Sequence, residues 1–227
     1  MILVSSAFVA ALVSGFWTFG VWCARLRRRA AYLCSEQVRI ALLWPINRLF
    51  IGVLSVFPHT RHGRIRLIAM MNDDVKTKGR FVEHSSLALA LIERYAPRQY
   101  ARLSREVRFV VDFPPHRANA AYVRALKLCQ IDHAALQRRF PTDEQRDELV
   151  CWFAWLLVHE GTHGHLHRLH VPHTAATNER IEWICNKRAW SFLNKLPANR
   201  YAFLPDLIDQ ISPFASEWWK PRGTHDG

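Results

Sequence analysis

The sequence lacks the closely spaced cysteine pairs that build thiolate zinc sites or disulfide frameworks. Its five cysteines, Cys23, Cys34, Cys129, Cys151 and Cys185, are odd in number and far apart, a pattern that favours a reducing compartment. There is no internal repeat, and there is no RNP, KH or helix-turn-helix signature. We therefore expect no nucleic-acid partner.

Acidic residues are also scarce, with 19 Asp and Glu against 31 Lys and Arg, which gives a formal net charge of +12. Such a balance predicts attraction to anionic surfaces without choosing among them. Half of the 227 residues are apolar, so the chain can bury a substantial core and is not a disordered tail.

Charged residues are missing altogether from residues 2–24, "ILVSSAFVAALVSGFWTFGVWCA". This stretch is long enough to cross a bilayer as a helix. Basic residues follow it directly, at Arg25, Arg27, Arg28 and Arg29, so the positive-inside rule predicts a single-pass anchor at residues 1–25 with the remaining chain in the cytoplasm. The alternative is a buried N-terminal helix of a soluble protein.

A second apolar stretch, residues 40–57, is interrupted near its middle by Pro45, Asn47 and Arg48. A charge at the bilayer centre is costly, so we expect an interfacial helix within a basic juxtamembrane region, residues 26–66, that contacts membrane lipids. The rival is a second span, which would place the following domain outside. In either case, residues 67–227 are expected to form the globular domain.

The pattern of that domain predicts an α+β fold. Residues 85–96 have helical spacing after Ser85 as N-cap, whereas residues 107–113 and, more weakly, 120–131 are typical of strands. A long helix is expected over residues 142–169, with Thr142 and Gln145 in capping-box spacing, and another over residues 178–196, closed by Pro197.

The stretch "LVHEGTHGHLHRLH", residues 157–170, contains five of the twelve histidines. At about 100° per residue, His159 and His163 lie on one face of the long helix and continue its apolar stripe. Two imidazoles at this spacing can share a tetrahedral zinc ion. Glu160 lies beside them, where a carboxylate can take a proton from a zinc-activated water.

His159, Glu160 and His163 resemble the HExxH motif of zincin metallopeptidases. The longer metzincin pattern fails, because Leu166 and Leu169 replace its glycine and third histidine. The resemblance implies a zinc cofactor, Glu160 as general base, and a small sheet packed on the HExxH helix. It also implies an edge strand that aligns an extended substrate.

The gluzincin subclass takes its third zinc ligand from a glutamate on a following helix. Here "NERIEWICNKRAW" offers Glu182, nearer the apolar face of that helix, and Glu179 as the fallback. Asn186 stands where gluzincin-like proteins carry an aspartate that orients a ligand histidine.

The sequence does not assign a single role to each of the other polar groups near the motif. His165 is expected to face solvent, and His167 to lie on the surface or behind the ligands. His170, His173 and Tyr201 are equal candidates for stabilising an oxyanion, a role that the resemblance implies for a downstream histidine or tyrosine.

We therefore expect a membrane-anchored zinc metallopeptidase in which His159, His163 and Glu182 bind zinc and peptides or proteins are the substrate. The rival from another class is a non-catalytic, membrane-associated basic protein whose zincin-like domain is structural or binds a partner. A third possibility is zinc-dependent hydrolysis of a non-peptide amide. Cys151 and Cys185 are expected to be small core residues, although both lie within reach of the site.

Overall fold

The computed structural model describes residues 48–49, 51–69, 75–115 and 119–209. The chain divides into two compact units, Met1–Val56 and Phe57–Gly227. In the first unit, residues 51–56 are helical, and the anchor predicted at residues 2–24 lies outside the described residues. Within the described ranges, no helix has the length and hydropathy needed to cross a membrane.

The second unit contains a five-stranded mixed sheet. Its strands are β1 (Thr60–His62), β2 (Ile65–Ala69), β3 (Phe109–Asp112), β4 (Ala120–Val123) and β5 (Leu128–Ile131), in the spatial order β1-β2-β3-β5-β4. β3 pairs in parallel with β2 and β5, and every residue of β3 is buried. β4 pairs antiparallel with β5 and forms one edge of the sheet.

Helices accompany the sheet in the described part of this unit: α1 (Val75–Tyr95), α2 (Pro97–Glu106), α3 (His133–Arg139), α4 (Arg146–Arg168) and α5 (Ala175–Leu193). Residues 204–209 are also helical. Short 3₁₀ turns lie at Arg124–Leu126 and Asp143–Gln145. The prediction of an α+β fold is confirmed at this level, as a small mixed sheet with mostly helices around it. The sheet includes strands that precede residue 67.

Helix α4 is the central element, and every residue from 149 to 162 on it is buried. It packs against α1, α2 and α5 and against strands β4 and β5. Its apolar residues surround the helix on all sides, so each neighbour covers one face. Burying one large side chain such as Phe153 or Leu157 stabilises the fold by about 1.5–3 kcal/mol.

Two of the predicted boundaries are wrong. The helix expected from residue 85 begins at Val75, and Ser85 is a fully buried residue within it rather than an N-cap. Residues 120–131 form two strands joined by a 3₁₀ turn instead of one strand, because the chain reverses at Lys127, whose φ is 49°. Thr142 also makes no side-chain cap bond at the start of its 3₁₀ turn.

Candidate metal centre

Three polar groups from two helices converge at one point. The Nε2 atoms of His159 and His163, one turn apart on α4, are 3.2 Å from each other. Glu182 of α5 places one carboxylate oxygen 3.2 Å from His159 Nε2 and the other 3.4 Å from His163 Nε2. Glu179, the other glutamate that the sequence offers as third ligand, is exposed and makes no ion pair with these imidazoles.

These distances fit a tetrahedral zinc site. Ligands held about 2.0–2.1 Å from a tetrahedral ion lie about 3.3–3.4 Å from one another, close to the spacings between His159, His163 and Glu182. Imidazole nitrogens and a carboxylate are also donors that zinc accepts. The residues present therefore fit the metal that the HExxH motif implies.

The convergence depends on the packing of α5 against α4. Ile181 and Cys185 of α5 and Leu166 of α4 form a small buried cluster, with Val171 and Ile184 packed at its border. Because Glu182 follows Ile181 directly, the contact that buries Ile181 also fixes the position of the carboxylate. The Glu182 side chain is 26% exposed, against 10% for His159, so the centre faces solvent on the α5 side.

The electrostatics of this cluster favour an ionised Glu182. Burial alone would raise its pKa, but hydrogen bonds from His159 and His163 outweigh burial and lower it well below the usual range. For His163, burial lowers the pKa, but the hydrogen bond to Glu182 and the charges of Glu160 and Glu182 outweigh that effect and raise it. A positive charge brought between these groups would be favoured by the anionic carboxylate.

Glu160, the expected general base, is buried beside the imidazoles and 7% exposed. Burial raises its pKa, the neighbouring His159 and His163 lower it, and Glu182 raises it further. The backbone N–H of Tyr122 donates a hydrogen bond to the Glu160 carboxylate. Edge strand β4 is thereby tied to the carboxylate that the motif singles out.

A glycine lets β4 approach α4 this closely. At Gly164 a Cβ atom would lie 2.8 Å from Tyr122 Cζ and 2.9 Å from Glu106 Cβ, distances at which something must shift. Tyr122 also donates its hydroxyl to the backbone carbonyl of Glu106. Buried Glu106 in turn accepts a 2.7 Å bond from Arg168 near the end of α4.

The other histidines fall into distinct positions. The His173 ring lies 5.9 Å from that of His163 and stacks on His167 at 3.8 Å, so the loop after α4 brings His173 to the site. His165 is only partly exposed and lies 4.0 Å from Glu106, against the expectation that it faces solvent. His170 is exposed, with a φ of 58°.

Tyr201 does not join this centre. It is buried, packs its ring against Phe203, and feels the charges of Asp147 and Cys151 near the beginning of α4. Those residues precede the HExxH motif by two helical turns or more, so Tyr201 is a core residue and His173 is the better placed of the candidates for an oxyanion.

The expected partner for a ligand histidine is missing. His159 Nδ1 is buried and has no hydrogen-bond partner among the described residues. Asn186, which stands where gluzincin-like proteins carry the orienting aspartate, does not supply this bond. The outer support of this imidazole therefore differs from the usual arrangement, in which the distal ring nitrogen donates to a carboxylate or carbonyl.

A thiol also borders the centre. Cys185 Sγ, a nitrogen of His159 and a nitrogen of His163 lie within 4.8 Å of one another, and Cys185 is fully buried. The sequence predicts Cys185 as a core residue within reach of the site. The three-residue spacing from Glu182 is the signal that places both side chains on one side of α5.

In comparisons with protein-family models, curated proteins and solved structures, nothing matched this chain.

Proposed function

We propose that this chain is a zinc-dependent metallopeptidase of the zincin type, with a gluzincin-like ligand set. His159, His163 and Glu182 would hold the metal, and Glu160 would act as general base. One observation carries the proposal: three side chains place donor atoms 3.2–3.4 Å from one another, next to a buried carboxylate that accepts a hydrogen bond from a backbone N–H. A helix end with merely solvated histidines would not bring a carboxylate from a second helix to both rings.

The chain's own groups divide the chemistry between them. A zinc ion held there would polarise a substrate carbonyl and lower the pKa of a water to about 7. Glu160 takes the proton from the attacking water and can later deliver it to the leaving nitrogen. The Tyr122 N–H fixes the carboxylate, which is the positioning that general-base catalysis requires.

Peptides or proteins are the proposed substrates, because the centre adjoins an edge strand. β4 pairs with β5 on one side, and its Tyr122 N–H points to Glu160. An extended peptide that pairs beside β4 would add a strand and bring its carbonyl groups along the line of the centre. His173, beside His163, is the proposed donor to the developing oxyanion.

We also propose that residues 2–24 anchor the chain in a membrane, with the catalytic unit in the cytoplasm and basic residues near anionic lipids, and that nucleic acid is not a partner. A Glu144→Cys variant tests the topology, because Glu144 is exposed. Labelling by an impermeant maleimide should require permeabilised membranes. Labelling of intact cells or right-side-out vesicles would contradict the cytoplasmic placement.

The second candidate is a non-catalytic, membrane-associated protein with a structural metal site. The proximity of Cys185 to both imidazoles favours it, since a fourth protein ligand is typical of structural zinc. The two candidates differ in hydrolysis, because a purely structural site would bind metal in the same way and cleave nothing.

Metal content and cleavage test the proposal together. Wild-type protein should retain about one zinc per chain, and Glu182→Ala should lose most of it, whereas the matched variant Glu179→Ala removes an exposed glutamate three residues earlier and should retain zinc. A mixture of unstructured peptides, followed by mass spectrometry, reports cleavage. Wild-type protein without zinc, or equal zinc loss in both variants, would contradict the ligand set. Zinc without any cleavage would favour the structural alternative.

A further inference from the structure

Cys185 is a buried free thiol next to the candidate metal centre. It lies one turn after Glu182 on α5 and packs with Leu166 and Ile181. Its sulfur lies within 4.8 Å of the two imidazoles. A thiol that only filled space among apolar side chains would have no reason to adjoin two ring nitrogens.

The Cys185 sulfur lies close enough to the other donors to share an ion with them. The donors from His159, His163 and Glu182 are already spaced 3.2–3.4 Å apart. A sulfur about 2.3 Å from a tetrahedral ion would lie about 3.6 Å from nitrogens bound at about 2.0–2.1 Å. The Cys185 sulfur lies within 4.8 Å of both imidazole nitrogens, so reaching that spacing requires a movement of at most about 1 Å, which a small side-chain adjustment can supply.

We propose that Cys185 is an exchangeable fourth ligand that closes the metal centre in its resting state. This inference rests on the proposed function. When the sulfur binds, a metal–sulfur bond forms, the S–H bond breaks, and the proton passes to solvent. The fourth position is then held by the protein, as in structural sites. When the thiol takes up a proton and leaves, that position opens for catalysis.

Two features argue for exchange rather than a permanent four-ligand site. The first is that His159, His163 and Glu182 already place donor atoms 3.2–3.4 Å from one another, so three donors can hold the ion while the thiol, within 4.8 Å of the imidazole nitrogens, comes and goes. The second is Glu160, which is buried, lies beside both imidazoles and is held by the Tyr122 N–H. A permanently closed site has no use for a positioned carboxylate next to its ligands, whereas a site that opens needs one.

Cobalt substitution tests the assignment on the full-length protein. Thiolate ligation of Co²⁺ gives an intense near-ultraviolet charge-transfer band, whereas d–d bands in the visible report tetrahedral binding without requiring sulfur. Wild-type protein loaded with Co²⁺ should show both. Cys185→Ala should keep the d–d bands and lose the charge-transfer band. The control is Cys151→Ala, which removes another buried free cysteine, two turns before His159 on α4, and should keep both.

Each outcome separates this inference from the proposed function. If wild-type protein binds cobalt and shows d–d bands but no charge-transfer band, the role of Cys185 is overturned and the three-ligand centre stands. A charge-transfer band that persists in Cys185→Ala would overturn it too, because another thiol would be the ligand. No cobalt bound to wild-type protein would overturn the metal centre itself.

X-ray absorption of the zinc-loaded wild-type protein removes any dependence on how Cys185→Ala folds. One sulfur neighbour at about 2.3 Å, beside nitrogen and oxygen neighbours at about 2.0–2.1 Å, supports the fourth-ligand assignment. A shell made of nitrogen and oxygen alone contradicts it.

Discussion

Replacing Gly164 with alanine tests how tightly the edge strand is held against the HExxH helix. The added Cβ would lie 2.8 Å from Tyr122 Cζ and 2.9 Å from Glu106 Cβ. The tyrosine ring can tilt, but Glu106 Cβ is attached to the backbone of α2 and cannot turn away. Gly79 is the matched control, because it is an exposed helical glycine on α1 whose Cβ would meet nothing within 4 Å.

The two substitutions share one energetic effect and differ in another. Alanine in place of glycine favours a helix by about 0.8–1 kcal/mol, so Gly79→Ala should raise the free energy of unfolding by about that amount. Gly164→Ala gains the same but adds an overpacking cost of about 1–3 kcal/mol. Its net effect should range from neutral to a loss of about 2 kcal/mol, and it should be less stable than Gly79→Ala by about 1–3 kcal/mol.

Urea unfolding of both variants measures this difference, with the slope of the transition used to check that both unfold in the same way. In thermal unfolding the expected gap is about 2–12 °C, given about 2–4 °C per kcal/mol for a domain of this size. Gly164→Ala should also lose hydrolytic activity, because a displaced Tyr122 no longer holds Glu160. Equal stability of the two variants would refute the close approach of Gly164 to Glu106 and Tyr122.

Three further predictions follow from the same structure. Glu160→Gln should keep its zinc and lose hydrolysis by about 10²- to 10⁴-fold; full activity in that variant would exclude Glu160 as the base. His173→Ala should lower kcat by a larger factor than it changes KM, whereas His170→Ala, at an exposed position in the same loop, is the near-neutral control. Equal effects of the two substitutions on kcat would count against an oxyanion role for His173. Burial lowers the pKa of His133 from 6.5 to about 3. Between these pH values the unfolded chain binds a proton that the folded chain does not, so the free energy of unfolding should fall as the pH is lowered from 6.5 to 3. The expected loss at pH 5 is about 2 kcal/mol. Urea unfolding of wild type and His133→Phe at pH 7 and pH 5 measures this, and an unchanged pH dependence in the variant would refute it.

The apolar pattern of the sequence predicts the two helices of the centre well, because they are buried by strong, regular contacts. Residues before His159 are apolar on every side of α4, and this predicted both its burial and its central position. The apolar stripe of α5 likewise predicted that Glu182 lies closer to the core than Glu179. In the structure Glu182 is partly buried, whereas Glu179 is exposed. The helix boundaries differ from the expected ones by only a few residues.

Other features of the fold could not be predicted from the local sequence pattern. The first two turns of α1 are rich in polar residues and contain Gly79, so their helical state depends on tertiary burial of Phe81 and His84. The reversal at Lys127 uses a left-handed conformation without the glycine or asparagine that would have marked it. Within a helix, Gly164 was the visible sign of a close approach, but only the structure identifies Tyr122 as the partner.

The contribution of Tyr122 shows why the catalytic assignment needs more than the motif. An HExxH segment specifies where two rings and a carboxylate lie on a helix, but Glu160 is useful only if its oxygen is held toward the metal-binding side. The restraint comes from a backbone N–H, which any residue except proline supplies, so no side-chain pattern at position 122 would have indicated it. The strand that restrains the base also forms the sheet edge proposed to align the substrate. A shift of β4 relative to α4 would therefore disturb proton transfer and substrate alignment together, and separate effects on the two would point to a different binding surface.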